Sequence, residues 1–167
     1  MDKELPKAIF SENRKYRYLL SRQWDNTKPY VAFIGLNPST ADETKDDPTI
    51  RRCIQFAKDW QYGGLLMGNI FAYRSADPRV LKKKEEVVDL TNLQWLQFIY
   101  NTAHITVAAW GNHGKLYSRA LQVKSVLPDC KVLGMTKSNY PKHPLYLKKD
   151  LKPIDWYYPS FSALSAK

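Results

Sequence analysis

Four short apolar runs recur along the chain: VAFIGL (31–36), LLMGNIF (65–71), HITVAAW (104–110) and KVLGM (131–135). Each gives way at once to a polar loop. Helical patterns fill the intervals. Residues 49–60 place Ile50, Cys53, Ile54 and Ala57 on one helix face, Pro48 suits the first turn, and Gly63-Gly64 closes the unit. Residues 90–101 and 115–126 read as two further helices, the last broken by Pro128-Asp129. Buried strands alternating with helices predict an α/β fold, a three-layer α/β/α sandwich around a central, mostly parallel, four-stranded sheet. Residues 14–20 are expected to add an early strand, followed by a turn at 25–29. The N-terminal hairpin or strand and the C-terminal tail are peripheral, and residues 1–167 are expected to form a single domain.

Open sheets of this kind bind ligands beyond the carboxyl ends of their strands. The loops 37–47, 69–77, 111–114 and 136–146 should therefore share one edge. Charge bears on what that edge meets. The chain carries 26 Lys and Arg against 16 Asp and Glu, a net +10, which favours polyanionic partners through counterion release. No apolar run approaches the roughly 18 residues of a membrane span. The N-terminal MDKELP lacks the layout of a signal peptide, so a cytoplasmic protein with no membrane partner is expected. The two cysteines, Cys53 and Cys130, are expected to be reduced and structural.

The first loop leaves its strand as Gly35-Leu36-Asn37-Pro38-Ser39. A glycine and small residues let the backbone approach a ligand, proline stiffens the turn, and the Asn37 amide can orient a water or read a base edge. Asp42, Glu43, Asp46 and Asp47 follow. They can serve as general base, cap the next helix and pair with Arg51 and Arg52, or supply oxygen ligands to magnesium. Asp42 and Asp47 are the catalytic candidates among them. In the second loop Asn69 is placed to read a base, Phe71 and Tyr73 to stack on it, and Arg74 and Arg79 to contact phosphates. The third contributes Trp110, a core candidate at the strand end, and His113, a capping or cleft-lining candidate. In the fourth, His143 before Pro144 can donate to charge on a leaving group. Leu145 and Tyr146 can wedge into a base stack, and Lys137 and Lys142 can meet phosphates.

The segments YRYLLSRQW, FIGLNPSTADETKDDPTIRRC, NIFAYRSADP, AWGNHG and TKSNYPKHPLYL resemble, in this order, a bacterial and phage family designated domain of unknown function 1643, over about residues 14–150. The layout also resembles, more distantly, the uracil-DNA glycosylase superfamily. GLNPS is similar to its first motif, which implies that Asn37 positions the attacking water. The resemblance likewise implies base reading by Asn69, a Trp-Gly strand end at Trp110, and leaving-base stabilisation by His143 with Leu145 or Tyr146 as wedge. Ser39 departs from the usual Gly or Tyr, the Ser-Pro expected after His-Pro is missing, and the acidic insert has no counterpart. The function so implied is a DNA glycosylase-like enzyme hydrolysing the N-glycosidic bond of a modified or deaminated base, acting on DNA as a monomer with no cofactor. The alternatives are a metal-dependent enzyme acting on a free nucleoside or nucleotide, and a non-catalytic nucleotide- or nucleic-acid-binding module.

Overall fold

The computed structural model describes residues 4–82 and 90–156. The chain is an α/β protein built on a mixed seven-stranded sheet. In chain order the elements are β1 (Ala8–Phe10), β2 (Arg17–Gln23), β3 (Tyr30–Gly35), α1 (Pro48–Asp59), β4 (Gly64–Asn69), α2 (Leu90–Thr102), β5 (Ile105–Ala108), α3 (Arg119–Val126), β6 (Lys131–Val132) and β7 (Ile154–Asp155). Short 3-10 turns occupy Pro78–Lys82 and Asn112–Ser118. The strands lie in the order β1-β2-β4-β3-β5-β6-β7.

The four apolar runs form β3, β4, β5 and β6, and these pair in parallel. The expected four-stranded sheet is nevertheless too small. β1 and β2 add an antiparallel hairpin beside β4, and β7 adds an antiparallel strand beside β6. The early strand begins at Arg17 rather than residue 14, because residues 11–16 are taken up by a turn in which Arg14 N–H donates to the Ser11 carbonyl. β6 stops at Val132, although Leu133 is still buried. Gly134, at φ 144, then turns the chain so that Met135 bridges Pro141.

Side chains alternate across the strands and feed two apolar layers. Val31, Phe33, Leu65, Met67 and Val107 pack with Ile50, Cys53, Phe56 and Ala57 of α1. Ala32, Ile34, Leu66 and Ala108 pack with Leu96 and Ile99 of α2 and with Ala120 and Val123 of α3. Helices therefore cover both faces, as a parallel sheet requires. Helix α1 starts where Pro48 predicts, with Asp47 as its N-cap, Oδ1 accepting from Ile50 N–H at 2.9 Å. The expected helix 115–126 is shorter. Tyr117 and Ser118 sit at φ 53 and 54, in the left-handed region, so α3 begins only at Arg119. The Arg119 guanidinium is buried at that break and donates to the Ile70 carbonyl at 2.7 Å. Among the described residues no helix is long and apolar enough to cross a membrane.

Candidate functional site

The loops that follow β3, β4, β5 and β6 do share one edge. They enclose a cleft of about 480 Å³. Its lining includes Gly35, Leu36, Asn37, Pro38, Ser39, Asp47, Asn69, Trp110, His113 and His143, all singled out in the sequence. Arg17, Ser75 and Asn112 also line it and were not.

The first two loops are laced together. Ile70 N–H donates to the Gly35 carbonyl and Phe71 N–H to the Leu36 carbonyl, both at 2.9 Å, and Ser75 N–H donates to the Pro38 carbonyl at 2.8 Å. The Asn37 Nδ2 donates to the Ser75 carbonyl at 2.9 Å, which fixes the amide and turns its Oδ1 into the remaining acceptor. Asn69, the last residue of β4, is 2% exposed. Its carbonyl accepts from Asn92 Nδ2 of α2 at 2.7 Å, while its own Nδ2 is buried without a hydrogen-bond partner among the described residues. A buried donor left unmade costs more than a bond gains, so it is conspicuous in a cleft wall.

Gly35 leaves room for this packing. A Cβ there would lie 2.8 Å from Asn69 Oδ1 and 2.9 Å from Met67 Cε. Gly35→Ala is expected to cost about 1–3 kcal/mol in chemical denaturation, as overpacked core positions do. Unchanged stability would show that the Asn69 side chain swings aside freely and is not held by the strand end.

His143 is half-buried, and its Nδ1 accepts from Leu145 N–H at 3.2 Å. The ring proton therefore sits on Nε2. Burial pushes the imidazole below its ordinary pKa, with the Asp47 charge opposing the shift. His143 is thus a neutral donor at neutral pH. Asp47 is 8% exposed and both caps α1 and lines the cleft. Trp110 is 2% exposed at the cleft wall, its indole against Gly114, where no side chain has room.

The rest of the acidic insert serves structure. Asp42 Oδ1 accepts from Thr44 N–H at 2.9 Å and Lys45 N–H at 2.8 Å, a local turn outside the cleft, and those bonds hold the carboxyl below its usual range. Glu43 pairs with Arg14, and Asp46 with Arg22 Nε at 2.9 Å. The expected partners Arg51 and Arg52 bind backbone carbonyls instead, of Asp46 and Leu147 respectively. The reason is reach: the β1–β2 hairpin brings its own arginines over the insert. Among the described residues no group of three or more His, Cys, Asp or Glu is gathered.

Several candidates stand away from the cleft. Phe71 is fully buried with its ring edge-on to Tyr117, which takes it out of reach of a stacked base. Tyr73 packs edge-on to Tyr16. Arg79 is exposed and bound to Asp77 at 2.9 Å. Lys137 and Lys142 are exposed, Leu145 is half-buried, and Tyr146 is 96% exposed at φ 67.

Arg17 is the lining residue the sequence concealed. It is 2% exposed, donates through Nη1 to the Ala41 carbonyl at 2.9 Å, and keeps a buried Nε without a partner among the described residues. Burial pushes it down to about 10, Asp47 opposes, and Arg74 and Arg22 add to the lowering. A single cation within YRYLL was its one signal.

The model of a family described as "Protein of unknown function (DUF1643)" matches residues 17–145. No curated protein and no solved structure matches the chain.

Proposed function

The chain belongs to the DUF1643 family of proteins of unknown function, and from its cleft we propose a glycosylase-like enzyme that hydrolyses the N-glycosidic bond of a modified or deaminated base in DNA. The observation that carries this reading is the convergence on one cleft of Asn37 and Asp47 from the two ends of the β3–α1 loop, Asn69 from the end of β4 and His143 from the loop after β6. The resemblance in motif order to the uracil-DNA glycosylase superfamily supports it as well.

In this reading the base flips out of its stack into the cleft. Asn69 Nδ2, unpaired among the described residues, donates to an acceptor on the base edge. Asn37 Oδ1 holds a water whose oxygen attacks C1′ as the bond from C1′ to the base nitrogen breaks. Asp47 takes the proton that the water loses, using the carboxylate oxygen that does not cap α1. The electron pair leaves with the base, and the Nε2–H of neutral His143 donates a hydrogen bond to the resulting anion. Asp42 has no part, because its carboxylate serves a turn outside the cleft.

The test is a screen of oligonucleotides bearing uracil, hypoxanthine, mismatches and hypermodified pyrimidines, with alkali to cleave abasic sites. Wild type is expected to give abasic product on one base class, and Asn37→Ala to lose it by about 10²-fold or more. Equal product from the variant would remove Asn37 from the chemistry. No product on any substrate would overturn the reading.

A further inference from the structure

The cleft does not end at Ser39. A shallower groove of about 370 Å³ continues from it, sharing Ser39, Ser75 and Ala76, and its walls are Arg14, Lys15, Tyr73 and Arg74. Two of these cations are held in place by one ring. The Arg14 guanidinium lies 3.8 Å from the centre of Phe10, and that of Arg74 lies 4.6 Å from the same centre. Arg74 Nη1 also donates to the Arg14 carbonyl at 3.1 Å. Arg14 itself stands at φ 59, a conformation that costs a side-chain-bearing residue energy.

Glu43 neutralises Arg14 through paired bonds of 2.8 and 3.0 Å. Nothing comparable serves the other two. Among the described residues Arg74 forms no ion pair and has a buried Nε without a partner, and exposed Lys15 forms no ion pair either. Like charges held this close repel, more strongly where water is excluded. An anionic chain laid along them relieves that repulsion and releases its own counterions.

We propose that the turn of the β1–β2 hairpin and the loop after β4 together form a phosphate-binding groove continuous with the cleft, so that the substrate is a nucleic-acid strand and not a free nucleoside. The backbone flanking the selected base lies along Arg14, Lys15 and Arg74 while the base occupies the cleft. This inference rests on the base-binding reading of the cleft.

Anisotropy titrations across a salt series test it, using a fluorescein-labelled single-stranded deoxyoligonucleotide of about twelve residues, long enough to run past both ends of the groove. A nucleoside monophosphate serves as competitor. The double variant Lys15→Ala/Arg74→Ala is expected to lower the slope of log affinity against log salt by about 1.4, near 0.7 for each single-strand phosphate no longer neutralised. Lys15→Glu, a change at an exposed side chain, should weaken binding without touching the core. Asn69→Ala should leave the slope at its wild-type value. A wild-type slope in the double variant, or competition by the monophosphate equal to that of the unlabelled strand, overturns the groove. The expected loss of slope, with no abasic product on any substrate, supports the groove and overturns glycosidic hydrolysis.

Discussion

Truncating His143 to alanine is expected to slow abasic-site formation by about 10²- to 10³-fold, the usual worth of one preorganised donor to developing charge. The loss should fall on kcat, because the hydrogen bond from Nε2–H strengthens only as the base departs. The pH profile adds an independent sign. The imidazole lies below its ordinary value because it is buried, so the neutral donor is fully present at pH 7 and above. Activity should hold through pH 6.5 and fall only at more acidic pH, where protonation of Nδ1 takes the acceptor from the Leu145 N–H and frees the ring from its place. Stability follows the same direction. The unfolded chain binds this proton more readily, so the histidine's contribution is complete above about 6.5 and is lost as pH falls towards the folded-state value. A His143→Gln variant should lack that component of the acid loss in thermal melts. An unchanged kcat in His143→Ala would end the leaving-group role.

The second large effect separates the two functions of Asp47. Asp47→Ala removes the N-cap of α1 and is expected to cost about 0.5–2 kcal/mol in stability. Asp47→Asn keeps a capping oxygen for Ile50 N–H and gives up the charge alone, so it should cost less. Its remaining cost comes from Arg17, whose buried guanidinium relies on the Asp47 field. Both variants are expected to lose about 10²- to 10⁴-fold in rate if Asp47 accepts the water's proton. Denaturation curves and single-turnover rates on the same preparations distinguish the outcomes. A stable Asp47→Asn enzyme with the wild-type rate would leave Asp47 as a cap and nothing more.

The parallel core was legible because β3, β4, β5 and β6 are nearly continuous apolar runs, the pattern of strands covered on both faces. The shared edge followed from topology, and with it Asn37, Asn69 and His143. What stayed hidden was non-local. β1 has three half-buried residues and no pattern of its own; only its pairing to β2 makes it a strand. Arg17 reads as a surface charge in YRYLL, and its burial depends on the Ala41 carbonyl from a loop across the sheet. The acidic insert suggested partners close in sequence, yet Glu43 and Asp46 found Arg14 and Arg22 on the hairpin. The break before α3 rests on the left-handed Tyr117 and Ser118, residue types that give no warning of it.

The two ends of the sheet carry a consequence for the protein in concentrated solution. The longest strands, β2, β3 and β4, lie inside the sheet, while the outermost are β1, with three residues, and β7, with two. An outer strand offers its unpaired N–H and C=O groups to any neighbouring chain, and the hazard grows with its length and flatness. Here β1 is also interrupted by a register shift between Ile9 and Phe10. β7 is followed by Trp156, whose ring turns back onto Trp110 instead of extending the strand. Edge-to-edge aggregation through the described strands thus has only a few backbone groups to nucleate on, and the apolar middle of the sheet is kept from templating it.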